Sequence, residues 1–283
     1  MLGVFDSGFG GLTVLKELAR VLPSYNFAYL GDNARAPYGS RSFESIYRYT
    51  LEAVSFLFSI NCPLVILACN TASAKALRTI QQKDLPLIAP SNRVLGIIRP
   101  MAEEIGNLTK TGHIGILGTE GTITSCSYLI EIAKFWPDLQ VEQEPCPMLV
   151  PLVEKGLINH PSTEMFVKEY TQKILAKDPR IDTLILACTH YPLLQGIFAK
   201  ILPENVKIAS QAGVIAQKAL EYLSKHTEID SRISKNPSKS GKIRFLTTDS
   251  SDFFEKGASF FWEKPIAAEK VFLYSSNDYS HSN

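Results

Sequence analysis

No C-x-x-C pair occurs in the 283 residues, and the cysteines (Cys62, Cys69, Cys126, Cys146, Cys188) number five, an odd count. These features argue against a disulfide framework and a zinc knuckle, and leave reduced thiols as the default. Long apolar runs are missing too. The stretches at 54–60, 64–69 and 184–188 are too short to span a bilayer, and no basic or signal-like segment precedes Leu2. A cytoplasmic protein with no membrane partner is expected. Net charge is equally scant, +1, which gives no electrostatic reason to expect nucleic acid as a partner. With 45% hydrophobic and 20% charged residues the composition is that of a soluble globular protein, long enough for two domains of ordinary size.

Two short apolar strands end alike: Leu64-Val65-Ile66-Leu67-Ala68-Cys69-Asn70-Thr71 and Leu184-Ile185-Leu186-Ala187-Cys188-Thr189-His190. A thiol at the carboxyl end of a buried strand, followed at once by hydrogen-bonding residues and a helix, stands where α/β proteins place chemistry. Buried cysteines often merely pack. Position favours a catalytic role for Cys69 and Cys188, because each precedes a helix whose N-terminal dipole favours a thiolate. Two facing thiols suggest a two-base proton shuttle. Cys62, Cys126 and Cys146 lack this context and read as structural.

The chain opens as a βαβ unit: strand Leu2–Phe5, the glycine-rich turn Asp6–Gly11, helix Leu12–Leu22 and strand Asn26–Leu30. A long helix at about 42–60, strand 64–68, a helix from near Thr71 and strand Leu87–Ala89 follow. The pattern restarts at Gly112 with strand His113–Leu117, a helix at about 123–135, strand Leu139–Gln143 and a helix at about 161–177. The fold class expected is α/β, two pseudo-symmetric parallel-sheet domains with the active site in the cleft between them. The first domain is assigned 1–96 plus 208–274, the second 97–207, and 275–283 a disordered tail. Residues 224–241 read as an exposed loop, with strand Ile243–Thr247, a helix around 250–262 and strand Val271–Leu273 returning to one sheet.

Asp6-Ser7-Gly8-Phe9-Gly10-Gly11 with Asp32 at the end of the next strand imitates a dinucleotide fingerprint. Thr13 at the third glycine position and the carboxylate of Asp6, which would face a pyrophosphate, weaken that reading. A small carboxylate held by helix N-terminal N–H groups suits the turn better. His190 reads either as an acid/base neighbour of Cys188 or as a capped loop histidine, and Glu154 by itself as a solvated surface residue about as often as not. Cys69, Cys188, His190 and Asp32 have metal-ligating side chains but lack the close ligand pairs that anchor zinc, so no metal is expected. Lys75 has no phosphate cradle beside it that would support a pyridoxal Schiff base.

Taken together, Gly3–Val14, Gly31–Gly39, Ala68–Ala72 and Cys188–Leu194 closely resemble the bacterial glutamate racemases, in order from residue 3 to about 262. The resemblance implies a cofactor-independent isomerase that interconverts L- and D-glutamate and supplies the D-isomer for peptidoglycan, and hence for cell shape. It further implies that Cys69 takes the α-proton from D-glutamate and Cys188 from L-glutamate. Asp6 would assist Cys69; Glu154 and His190 would assist Cys188. Asp6, Ser7, Tyr38, Gly39, Asn70, Thr71, Thr119, Thr122, Thr189 and His190 fall where the family contacts substrate, and a homodimer is implied. The motif begins at Gly3 without the leading extension through which some members respond to a cell-wall precursor, so activation by that route is not expected. The alternatives are an aspartate or hydantoin racemase using the same thiols, and a two-lobed glutamate-binding or regulatory protein without chemistry.

Overall fold

The computed structural model describes residues 1–236 and 240–273; the expected tail at 275–283 lies outside the described residues. Among the described residues ten strands form two wholly parallel sheets. They are β1 (Leu2–Asp6), β2 (Phe27–Gly31), β3 (Leu64–Leu67), β4 (Arg93–Gly96), β5 (His113–Gly118), β6 (Gln140–Pro145), β7 (Thr183–Ala187), β8 (Lys207–Ala209), β9 (Ile243–Thr247) and β10 (Ala268–Lys270). The first sheet runs β10-β9-β2-β1-β3-β4 and the second β6-β5-β7-β8. Within them, β2-β1-β3-β4 and β6-β5-β7-β8 share one order, so the restart at Gly112 repeats a topology as well as a pattern. Every residue of β1, β2, β3 and β7 is buried, as expected for parallel strands covered on both faces by crossover helices.

In each sheet the chain leaves the first strand to one side and comes back on the other, which makes the gap between β1 and β3, and that between β5 and β7, a topological switch point. Register pairs Phe5 with Leu67 and Gly118 with Ala187. Cys69 and Cys188 thus emerge at corresponding edges of the two sheets. Helix Gln211–Lys225, after β8, packs on helix Leu12–Val21 and on helix Ile98–Leu108, carrying the chain back toward the first sheet. One apolar core spans both lobes, including Leu2, Ile66, Leu117, Leu186 and Cys188. Each fully buried leucine or isoleucine there is worth about 1.5–3 kcal/mol. Among the described residues no helix is long and apolar enough to cross a membrane.

Several expected elements differ. Leu85–Ile88 is helical, with Pro86 in its first turn and Leu87 84% exposed, and the strand beside β3 is instead Arg93–Gly96. A short apolar run without periodicity fits either state. The helix read at 123–135 is broken by Cys126, which takes a left-handed φ of 53°, into Glu120–Thr124 and Ser127–Phe135. Residues 224–241 are only partly loop: helix Gln211–Lys225 ends there and Thr227–Asp230 is helical, with Ile229 and Ile233 buried. The last strand is Ala268–Lys270, and Val271 only extends it by donating its N–H to the Thr247 carbonyl.

Candidate active site

Cys69 caps the helix Asn70–Lys75, its Sγ accepting from the Ala72 N–H at 3.4 Å, and its thiol faces Ser7 Oγ at 3.6 Å. Asp6, at the end of β1, is fully buried. Its Oδ2 accepts from the Gly8 N–H at 3.0 Å and its Oδ1 from the Thr189 hydroxyl of the other lobe at 3.3 Å. Burial, followed by the negative charge of Asp6, pushes the Cys69 thiol up to about 12. The helix N–H works in the opposite direction and loses, which corrects the expectation that the dipole would favour a thiolate there. Burial likewise raises Asp6, against the pull of His190 and of its N–H donors.

Cys188 lies one residue past β7, with Sγ 3.8 Å from His190 Nδ1. On the far side of the ring, His190 Nε2 lies 3.2 Å from Glu154 Oε1, within ion-pair distance though not aligned as a hydrogen bond. Burial alone would lower the imidazole, but Cys188 and Glu154 together outweigh it and raise His190 to about 10. The edge of that ring meets the Phe261 ring at 5.6 Å and 86°. Glu154 ends the helix Leu149–Glu154, and only contact with His190 distinguishes it from a surface carboxylate. A 3-10 turn, Tyr191–Leu194, and then helix Gln195–Ile201 follow Cys188, so the expected helix cap exists at Cys69 alone.

Between the lobes three hydroxyls converge. Thr71 and Thr119 are 2.9 Å apart, Thr119 and Thr122 3.0 Å, and Thr71 and Thr122 3.4 Å. Thr119 also caps its helix by accepting from the Thr122 N–H. Gly39 presses against Thr119, and its carbonyl accepts from the Gly121 N–H at 2.9 Å. The Tyr38 hydroxyl turns away and donates to Asp32, which also accepts from Arg35 Nε at 2.7 Å and the Thr248 hydroxyl at 2.8 Å. Asp32, the acid of the dinucleotide imitation, is therefore an internal anchor for the loop carrying Tyr38 and Gly39. Among the described residues no group of three or more His, Cys, Asp or Glu is placed to hold a metal ion.

The structure thus gathers Asp6, Ser7, Cys69, Thr189, Cys188, His190 and Glu154 into one contiguous set spanning both lobes, with Thr71, Thr119, Thr122 and Gly39 on a second interlobe contact. Sequence reasoning missed Tyr29, whose hydroxyl pins the glycine turn at the Gly8 carbonyl at 2.9 Å, and Gln211 and Tyr128, which hold Asn70. Nothing local marks these residues. Both thiols are buried, each 5% exposed. A surface groove of about 810 Å³ meets helix Asn70–Lys75 only at Ser73, Ala74 and Lys75, and none of the site residues lines it.

Chemically, the set offers two thiols in different electrostatic settings, one beside a buried carboxylate and one beside a cationic imidazole, with hydroxyls nearby. The model of the Asp/Glu/Hydantoin racemase family matches residues 10–217. The chain is 43% identical over 274 residues to a glutamate racemase of Persephonella marina, covering 96% of this chain and 97% of that protein. Its structure is similar to glutamate racemase isoform RacE1 from Bacillus anthracis, with a TM-score of 0.87, 37% identity, and 96% of this chain and 97% of that one covered. It also resembles the Francisella tularensis glutamate racemase in complex with D-glutamate, with a TM-score of 0.84, 32% identity, and 96% and 97% covered.

Proposed function

The chain belongs to the Asp/Glu/Hydantoin racemase family, and we propose that it interconverts L- and D-glutamate by cofactor-independent two-base proton transfer, the D-isomer serving peptidoglycan synthesis. The observation that carries this reading is the pair of buried thiols at corresponding strand ends of two lobes, joined through Asp6 and Thr189.

Removing an α-proton without a carbonyl cofactor leaves a carbanion with little stabilisation of its own, so donors must hold the α-carboxylate as charge develops. Asn70, Thr71 and Thr189 are the donors assigned here. In the L-to-D direction the Cys188 sulfur takes the α-proton, and the C–H electron pair stays on carbon. Cys69, which holds its proton tightly, delivers it to the opposite face, and a new C–H bond forms from that pair. His190, cationic between Glu154 and Cys188, stabilises the Cys188 sulfur while it carries charge. In the D-to-L direction the roles exchange, with Asp6 as the polar partner of Cys69. The need to keep both thiols reduced supports a cytoplasmic setting, and the resemblance to the family supports a homodimer.

A pH dependence follows from His190. Its raised value means that the folded protein keeps the cation until pH rises through about 10, whereas the folding stability tied to that charge is fully present below about 6.5 and is lost as pH climbs from there through about 10. The L-to-D kcat/KM is expected to fall through that alkaline range. Glu154→Gln removes one of the charges holding the proton and should move the limb to lower pH. Identical alkaline limbs in profiles of the two proteins would remove Glu154 from this role.

The function itself is tested by incubating the protein with L-glutamate in heavy water, scoring α-deuterium by NMR and D-product by chiral chromatography. Both should appear, and L-aspartate should be turned over far more slowly. Tight glutamate binding with no isotope exchange would replace catalysis by ligand binding, and preferential turnover of aspartate would reassign the substrate.

A further inference from the structure

Asn70, Gln211 and Tyr128 form a closed ring of hydrogen bonds drawn from three parts of the chain. Asn70 opens the helix capped by Cys69. Tyr128 lies in helix Ser127–Phe135 of the second lobe, and Gln211 begins the helix that carries the chain back to the first. The two amides pair face to face: Asn70 Nδ2 donates to Gln211 Oε1 at 3.0 Å, and Gln211 Nε2 donates to Asn70 Oδ1 at 3.2 Å. The Tyr128 hydroxyl donates to the same Asn70 Oδ1 at 2.7 Å and accepts from Gln211 Nε2. All three side chains are buried.

An amide has two donor hydrogens and two acceptor positions on oxygen. For Asn70 both acceptor positions are filled, by Tyr128 and Gln211, and one hydrogen is used by Gln211. The other Nδ2 hydrogen has no partner among the described residues, in a residue directly following Cys69. We propose that Gln211 and Tyr128 are positioning residues, which fix the Asn70 amide so that this remaining N–H is presented to the substrate's α-carboxylate. The inference rests on the racemase reading above. Turning both amides over would present a carbonyl oxygen to an anion instead. Burial keeps the Tyr128 phenol far above its ordinary value, so it stays a donor throughout the working pH range. Because the ring needs side chains from both lobes, docking of the lobes is also what sets this donor.

The test is a double-mutant cycle on racemisation of L-glutamate. Tyr128→Phe and Gln211→Leu should each lower kcat/KM about tenfold, as expected for a misaligned hydrogen bond to a charged group, with KM changing more than kcat. In an Asn70→Ala background the same substitutions should cost no more than about twofold. Gln211→Glu, which offers Asn70 Oδ1 an acceptor where a donor stood, should be at least as damaging as Gln211→Leu. Losses of equal size with and without Asn70, or no loss in the otherwise unaltered enzyme, would overturn the proposal. Tyr128→Phe preserves ring and volume and decides the matter if the Gln211 variants do not fold. Absence of racemisation in the unaltered protein would sink the functional reading, whereas intact racemisation with additive losses sinks only the positioning role.

Discussion

Cys69→Ser and Cys188→Ser each lower racemisation of L-glutamate by at least the roughly 10²- to 10⁴-fold typical of a lost general acid or base. Serine nearly matches cysteine in shape, and both positions are buried, so the fold should persist and the loss report on chemistry. The hydroxyl is a far weaker acid than a thiol, and a serine can neither accept the α-proton readily nor be regenerated by its neighbours. The two variants should differ in what they retain. With Cys188 replaced, Cys69 and Asp6 still face one side of the α-carbon, so slow exchange of the D-glutamate α-hydrogen with heavy water continues without inversion. With Cys69 replaced, Cys188 and His190 allow the corresponding exchange from L-glutamate. NMR of α-deuteration in each enantiomer, alongside chiral analysis, separates these outcomes. Near-normal turnover by either variant would end the two-thiol scheme.

The thiols were legible because a short, largely apolar strand followed within two residues by a cysteine, then polar residues, is a local signal, and because it occurs twice. The duplication into two parallel-sheet halves was legible for the same reason, since the βαβ pattern begins again at Gly112, whereas the strand order that the halves share came only with the structure. The region from 85 to 96 was not. Leu87 and Ile88 look like core residues in sequence but point outward, whereas the partly exposed Arg93–Gly96 makes the ladder with β3. The edge strand Lys207–Ala209, at three residues, is too short to carry a pattern. The setting of Cys69 was misjudged because a helix terminus is visible in sequence while desolvation and the approach of Asp6 are not; those two effects decide its proton affinity. Glu154 entered through family resemblance, since its role depends on an imidazole distant in sequence. Gln211 and Tyr128 bear on Asn70 only after both lobes have folded, and no local spacing could have announced them.

Gly10→Ala is expected to cost about a hundredfold in kcat/KM while leaving the protein folded. A Cβ at that position would lie 2.3 Å from Thr189 Oγ1, 2.7 Å from His190 Nδ1 and 2.9 Å from Thr189 Cβ, all closer than real Cβ contacts. Neither neighbour is free to yield. Thr189 donates to the buried Asp6, and His190 is wedged between Cys188 and Glu154. Phe9, the preceding residue, is anchored among Phe253, Phe254 and Phe261, which prevents the turn from backing away. The methyl group therefore pushes the Cys188-Thr189-His190 segment off Asp6, widening the gap between the two bases. A displacement of about 1 Å in a reacting geometry is enough for a loss of about 10²-fold, and overpacking of this kind costs about 1–3 kcal/mol of stability. Gly196, in helix Gln195–Ile201, is the control, since a Cβ there meets nothing within 4 Å. Gly196→Ala should leave racemisation unchanged and hold or raise stability by up to about 1 kcal/mol through helix propensity. Thermal melts and steady-state kinetics on both variants make the comparison. If Gly10→Ala keeps full activity, the two lobes do not meet at Thr189 and His190 in the working enzyme, and the closed arrangement of the thiols is not the one that turns over.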